Sequence, residues 1–314
     1  MFKLRRIRRP PPNFHAYIEE VARGLEGLYG LRAAQEYAKT AHTRVAASMK
    51  NPAVDAIAAC DAADAAGLLM AVAREEGVGE IVFIHVLAEY AGQGVEQRLM
   101  RESVQTFRAA GVDGILCESV VLCPLDLDAT FAALGFAKVE RLLMAAPADA
   151  PGLQVDGPSQ SAPCRASDWA EVADVLVDAH RDHPGRRLHA EVRDPASASN
   201  FLTRVLAGGY GRVRPDFMRV IRVEGVCAGT VIGCQIAADV GFVLYLVVRP
   251  AYQGRGIGTR LLREAAQAFR DAAVERIALG VTASDPAVRL YARLGFAPLR
   301  PINAYVWRRP GAFV

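Results

Sequence analysis

Residues 94–115 and 256–277 carry one helical pattern twice, 162 residues apart. Identical residues stand at Arg98/Arg260, Leu99/Leu261, Arg101/Arg263, Glu102/Glu264, Gln105/Gln267, Phe107/Phe269, Arg108/Arg270, Ala110/Ala272, Val112/Val274 and Ile115/Ile277. The apolar stripe of the second copy, Leu261, Leu262, Ala265, Ala266 and Phe269, says only that a helix packs on a sheet. The shared Arg and Glu positions read as exposed, and core packing does not require them, so duplication is the economical explanation. A chain of 314 residues has room for two domains of roughly 150 residues each, which agrees with the spacing of the repeat.

Between the copies, residues 146–163 are rich in Pro, Ala, Gly, Ser and Asp and show no helical or strand period. That places a first domain at 1–147, a linker at 148–162 and a second domain at 163–314. In the second half, "ASDWAEVADVLVDAH" reads as a helix capped by Ser167 or Asp168, and "DPASASNFLTRVLAGG" as another ended by glycine. Strand-like runs follow at "FMRVIRVEG", "VCAGTVIGCQIAADVG" and "FVLYLVVRP", with turns at Glu224-Gly225 and 239–241. Then come a Gly-rich loop, the repeated helix, a strand "ERIALGV", a short helix "DPAVRLYARLG" and a last strand "INAYVWRR".

Composition narrows the classes. An apolar fraction of 52% with 23% charged residues, and no apolar stretch long enough to span a bilayer, fits a water-soluble protein with no membrane partner. The start "MFKLRRIRRPPP" lacks the apolar core of a secretory signal, so a cytoplasmic location is expected. A net charge of +3 does not point to nucleic acid; Lys3, Arg5, Arg6, Arg8 and Arg9 read as a solvated arm or a first strand edge. Cys60, Cys117, Cys123, Cys164, Cys227 and Cys234 show neither a CxxC pair nor metal-ligand spacing, and read as buried reduced thiols with no metal site.

Ahead of the second copy stands "VVRPAYQGRGIGTRLL". Glycines between an apolar strand and a helix let the backbone approach a ligand, several amides face one way, and the helix N-terminus adds partial positive charge. The pattern is neither a Walker loop, which needs Gly-Lys-Ser/Thr, nor GxGxxG. A tight turn alone explains two glycines and leaves Gln253, Arg255 and the third unexplained. A phosphate-type ligand is the expectation.

This loop resembles the Q/R-x-x-G-x-G/A loop of the GCN5-related N-acetyltransferase (GNAT) superfamily, and "SDPAVRLYARLGFAPL" is similar to that family's second signature, N-x-x-A-x-x-L-Y-x-x-L-G-F. The match is close over about residues 164–309 and weaker in the first half. The resemblance implies a mixed α/β fold of two tandem domains, each a twisted, mostly antiparallel sheet flanked by helices. It implies an acetyl-coenzyme A cosubstrate, with Gln253, Gly254, Arg255, Gly256, Ile257, Gly258 and Thr259 at the pyrophosphate. The pantetheine arm would run along Leu246, Val247 and Val248, and a strand amide would polarise the acetyl carbonyl. Tyr291 takes the position of the general acid that protonates the leaving thiolate. Ser284 replaces the family's Asn, and its shorter side chain puts that pantetheine contact in doubt.

The first copy departs from the pattern. Gln93 stands for Arg255, Glu96 for Gly258 and Phe131 for Tyr291. A carboxylate at the helix N-terminus opposes a diphosphate. The first half therefore reads as a degenerate acetyltransferase domain kept for structure, for shaping the acceptor site or for binding something else. Its His85, alone on an apolar strand, reads as a core residue with a satisfied nitrogen. The base that takes the acceptor's proton is open among His180, His183, His189, Glu191 and Asp194, while Arg181, Arg186, Arg187 and Arg193 would suit an acidic acceptor. The reading is an N-acetyltransferase acting by direct attack on an amine of a small molecule or peptide, as a monomer or homodimer. A non-catalytic acyl-coenzyme A sensor or scaffold is its rival.

Overall fold

The computed structural model describes residues 2–62, 64–74, 77–118, 126–183 and 189–310; Cys123, Arg186 and Arg187 lie outside them. In chain order the elements are β1 (Lys3–Arg6), α1 (Phe14–Tyr29), α2 (Leu31–Lys50), β2 (Val54–Asp61), β3 (Asp64–Ala73), β4 (Val78–Val86), α3 (Val95–Ala109), β5 (Gly114–Cys117), α4 (Asp128–Ala133), β6 (Ala137–Val139) and β7 (Arg141–Pro147). They continue with β8 (Ala162–Pro163), α5 (Trp169–His180), α6 (Pro195–Leu206), β9 (Met218–Val223), β10 (Val226–Ala237), β11 (Val240–Val248), α7 (Ile257–Asp271), β12 (Arg276–Thr282), α8 (Ala287–Arg293), β13 (Ala297–Pro301) and β14 (Ala304–Arg308). They form two compact units, Met1–Glu140 with Ile302–Phe313, and Arg141–Pro301.

Each unit holds one seven-stranded sheet, ordered β1-β2-β3-β4-β5-β14-β6 in the first and β8-β9-β10-β11-β12-β7-β13 in the second. Helices cover both faces. In the second unit Leu261, Leu262, Ala265, Ala266 and Phe269 of α7, all fully buried, pack on one face, while Val172, Leu176, Phe201 and Val205 of α5 and α6 pack on the other. In the first, α3 and α4 cover one face and α1 packs on the other.

The sequence boundary at 147 is corrected by the sheet pairing. β7 pairs antiparallel with β12 along its whole length, from Arg141↔Thr282 to Pro147↔Arg276, and so belongs to the second unit. The last strand does the converse: Tyr305 pairs with Cys117 and with Lys138, placing β14 between β5 and β6 of the first unit. Each sheet thus takes one strand, at the equivalent slot, from the other half of the chain. No period or composition shift records this, because a strand's inward and outward faces look the same whichever sheet receives it.

Residues 148–162 are not a free tether. Ala148, Ala150 and Leu153 are buried in the core beneath α7. Glu264, only 4% exposed, accepts hydrogen bonds from the Gln160 amide (2.8 Å), the Ser161 amide (3.0 Å) and the Ser159 hydroxyl (2.6 Å), and pairs with Arg219. The repeated glutamate is therefore not exposed as its sequence pattern suggests. Its counterpart Glu102 lies 3.1 Å from Arg6 on β1, so in both units this position ties the helix to the chain at the sheet's outer strand. The repeated arginines also bond to backbone: Arg270 to the Ala148 carbonyl, and Arg108 to the Leu134 carbonyl. Burial alone would raise the Glu264 carboxyl, but its donors hold it below the ordinary value. Glu264→Ala takes the acceptor from the Gln160 and Ser161 amides and the carboxylate from Arg219, which keeps its bonds to Ser161, and should cost about 2–4 kcal/mol in urea unfolding at pH 7. Because the carboxyl is depressed, that difference should be complete above the unfolded value near about 4.3 and shrink as pH falls further.

The basic N-terminal run forms an edge strand. Arg6 pairs with Asp55 at 3.1 Å, and Arg8 donates to the Val54 carbonyl at 2.7 Å. His85 is a core residue: fully buried, it shares a hydrogen bond of 2.8 Å with Glu20 through Nε2. Cys60, Cys117, Cys164, Cys227 and Cys234 are free and buried.

Candidate active site

In the second unit β11 and β12 run parallel and pair only from Val240↔Arg276 to Val243↔Leu279. Past that point β12 stays with β7 while β11 stays with β10, so the two strands diverge. A bulge marks the divergence: Ile232 faces Tyr245 but Gly233 faces Val243, leaving Leu244 as the extra residue. The first unit repeats the device 162 residues earlier, with Val82 extra on β4 and pairing to β5 ending at Ile81↔Cys117.

A cleft of about 400 Å³ fills the gap in the second unit. Of the residues singled out by sequence, Leu246, Val247, Val248, Gln253, Gly258 and Tyr291 line it. Gly254, Arg255, Gly256, Ile257, Thr259 and Ser284 are not on its wall. Gly254 and Gly256 have φ of +75° and +77°, a left-handed backbone that a side chain disfavours, and together they turn the strand into α7. No side chain caps α7, whose first bond runs from Arg260 N–H to the Gly256 carbonyl. The N–H groups of Ile257, Gly258 and Thr259 therefore have no helical acceptor. Arg255 is turned aside, over the Tyr252 ring at 5.3 Å and bonded to the Ala251 carbonyl at 3.2 Å. Ile257 is a core residue, and Ser284 is exposed in the turn after β12.

The first unit's loop has the same backbone, with Gly92 at +75° and Gly94 at +70°. What differs is the side chain: Glu96 occupies the position of Gly258, and its Oε2 is buried without a hydrogen-bond partner among the described residues. Phe131, at the Tyr291 position, is fully buried and stacked on Tyr305 with ring centres 3.9 Å apart.

The same cleft is lined by Tyr291, Asp285, His180, His183, His189 and Tyr245. Tyr291 is 8% exposed, and burial together with the Asp285 carboxylate raises its phenol well above the ordinary value, so it stays protonated at neutral pH. Asp285, missed in the sequence beside Ser284, accepts the Ala287 amide at 2.8 Å at the start of α8. The general signal was present, since Asp is a common helix-capping residue.

His183 Nε2 bonds Asp285 at 3.0 Å. Hydrogen bonding to Asp285 raises His183; burial alone would raise Asp285, but His183 and the Ala287 amide hold it low. The depressed carboxyl stabilises above about pH 4 and the raised imidazole below about pH 6.5, so the pair is strongest between those limits and fades as pH rises through the His183 value. His183→Asn should lose most stability relative to wild type near pH 6 and little at pH 9, as read by urea midpoints. His180 is 8% exposed with Nδ1 2.8 Å from the Leu176 carbonyl, and burial pushes it down to about 4. Asp194 accepts the Ser197 amide at 2.8 Å and caps α6, and Arg193 pairs with Asp194 at 3.1 Å. Arg181 pairs with Asp178 at 3.2 Å.

The profile of the Acetyltransferase (GNAT) family matches residues 170–296, which contain the diverging strands, the loop and Tyr291. The chain carries a GNAT-family domain. A curated relative, the N-alpha-acetyltransferase MAK3 of Arabidopsis thaliana, is 32% identical over 94 residues, 29% of this chain and 50% of that protein. The chain thus spans half the length of this relative. A GCN5-related N-acetyltransferase from Sphaerobacter thermophilus has a similar fold, with TM-score 0.69 and 17% identity over 100% of this chain and 98% of the other. A tandem GNAT protein from the clavulanic acid biosynthesis pathway gives TM-score 0.62 and 14% identity, covering 98% of each chain. Both units therefore have the GNAT fold in tandem. Among the described residues no helix is long and apolar enough to cross a membrane.

Proposed function

We propose that the second unit transfers an acetyl group from acetyl-coenzyme A directly to an amine of a small molecule or peptide, and that the first unit binds no acetyl-coenzyme A. The observation that carries this reading is one cleft lined both by the loop residue Gly258 and by Tyr291. The loop and the first turn of α7 offer unpaired amides to a diphosphate, each such bond contributing roughly 1.5–3 kcal/mol. Arg255 and Thr259 flank that position, and Arg255 would leave Tyr252 to reach it. Leu246, Val247 and Val248 present apolar strand edge to the pantetheine arm, and Ser284 stands on the turn that follows β12.

Past Val243 the side of β11 that faced β12 has no strand partner among the described residues. A β11 amide on that side would polarise the acetyl carbonyl. The amine lone pair attacks the carbonyl carbon, the C–N bond forms, the C–S bond breaks and Tyr291 protonates the departing sulfur. A phenol is ordinarily a weaker acid than a thiol by about 1.5 units and burial weakens Tyr291 further, so the transfer depends on the same low-dielectric surroundings raising the proton affinity of the departing sulfur. Relatedness to a protein named for N-alpha-acetyl transfer supports nitrogen as the nucleophile.

Tyr291→Phe should bind acetyl-coenzyme A within about threefold of wild type and lose about 10²-fold in kcat, the low end of general-acid effects. Steady-state thiol release against a panel of amines measures this. Equal kcat in Tyr291→Phe would remove the acid from that role, and binding without turnover of any amine would leave a ligand sensor instead.

A further inference from the structure

Three imidazoles line the cleft, and their surroundings give them different chemistry. His183 is committed to the Asp285 carboxylate at 3.0 Å. His180 is bound through Nδ1 to the Leu176 carbonyl, and its burial makes it too weak a base to accept a proton well at neutral pH. His189 differs from both. Its Nδ1 lies 3.2 Å from Glu191 Oε1, and that oxygen also accepts the Tyr245 hydroxyl at 2.5 Å.

A carboxylate only accepts, so Nδ1 carries a proton, and whenever the ring is neutral the lone pair is on Nε2. Among the described residues Nε2 has no partner. Burial alone would raise Glu191, yet the hydrogen bonds from His189 and Tyr245 pull it down to about 2, so the oxygen that orients the ring stays charged. Tyr245, 8% exposed and itself a β11 residue, sets its ring 5.5 Å from both His180 and His189. The orienting carboxylate is therefore fixed from the strand that forms the cleft floor.

We propose that His189 is the base of the acetyl transfer, accepting a proton at Nε2 from the acceptor's ammonium group, and that Glu191 and Tyr245 are positioning residues that set its tautomer and aim. This rests on the acetyltransferase reading above. The protons balance: the ammonium gives one to His189, which passes it to solvent, and the attacking nitrogen loses a second as the C–S bond breaks. Tyr291 supplies the thiolate's proton, and that second nitrogen proton restores the count, leaving one proton released per amide formed. The groups facing His189 are His180 from α5, Tyr245 from β11 and Glu191 from its own segment.

The test uses the full chain with acetyl-coenzyme A and three amines: triglycine, Nα-acetyl-lysine amide and spermidine. His189→Ala should bind acetyl-coenzyme A within about threefold of wild type by calorimetry, and lose about 10²-fold or more in kcat for whichever amine turns over. Added 4-methylimidazole should restore at least tenfold of that loss, which a merely structural defect would not permit. Glu191→Gln should lose about tenfold in kcat, with the KM for acetyl-coenzyme A unchanged. Wild-type-like kcat in His189→Ala, or a loss that 4-methylimidazole does not touch, would overturn the base assignment and leave the acetyl transfer standing. Acetyl-coenzyme A binding with no turnover of any of the three amines by the wild type would count against both.

Discussion

Gly258→Glu is expected to abolish acetyl-coenzyme A binding, because it writes the first unit's defect into the second. The backbone is not what fails. A Cβ at Gly258 meets Val248 Cγ2 at 3.7 Å and Leu290 Cδ2 at 3.9 Å, ordinary contact distances, and the residue has no positive φ to lose. Gly258→Ala should therefore fold and bind within a few-fold of wild type. The glutamate adds a negative charge on the first turn of α7, where the proposed diphosphate takes its amides. At about 4 Å and an effective dielectric near 20, one such repulsion is about 4 kcal/mol, roughly a thousandfold in Kd. Calorimetric titration of wild type, Gly258→Ala and Gly258→Glu should show one site per chain, retained in the alanine variant and lost in the glutamate variant. Binding that survives Gly258→Glu would put the ligand elsewhere and sink the reading of both loops. The reverse change, Glu96→Gly, should not create a second site, since Gln93 and Phe131 remain.

Removing β14 is expected to unfold the first unit, although every residue removed lies at the far end of the sequence. A chain stopped after Pro301 leaves β5 and β6 without the strand that joins them. It also strips the Tyr305 ring from Phe131, and the Trp307 ring from beneath Arg108, whose guanidinium lies 4.6 Å from the ring centre. The apolar faces of β5 and α4 would then meet water. Losing a central strand with its ladder and buried rings exceeds about 5 kcal/mol, the lower end of a domain's whole stability. Circular dichroism and urea unfolding should show loss of the cooperative transition belonging to this unit. A truncated chain that unfolds at the full-length midpoint would contradict the strand assignment.

Much of the proposed site was legible because its signals are local. The stripe that seats α7 depends on a period of 3.6 residues, and the glycine loop depends on backbone angles at single positions. Both are written in consecutive residues. The comparison of Glu96 with Gly258 and of Phe131 with Tyr291 needed nothing beyond the repeat. The elements of the second half were placed within a few residues by the same means, from α5 to β12.

The partners of those elements were not legible. "INAYVWRR" reads as a strand, and is one, but its sheet is chosen by pairing with β5 and β6. Glu264 repeats Glu102 and reads as solvated. Only the fold of residues 159–161 over α7 shows it to be a buried anchor. Asp285 stands next to a residue chosen for resemblance, and the turn after β12 exposes Ser284 while directing Asp285 into the cleft. Among five open candidates for the base, sequence had no means of preferring one; the shared oxygen of Glu191 between His189 and Tyr245 is the contact on which the proposal of His189 rests.

The sequence by itself therefore determined the duplication, the two GNAT-like halves, the entrance loop of α7 and the residues by which the two loops differ, since each follows from short-range periodicity and from comparison of the two copies. The tertiary structure decided which half of the chain completes each sheet, what buries the repeated glutamate and how the imidazoles are oriented in the cleft. Those depend on hydrogen-bond register and on side chains meeting across tens of residues, and no local pattern encodes either.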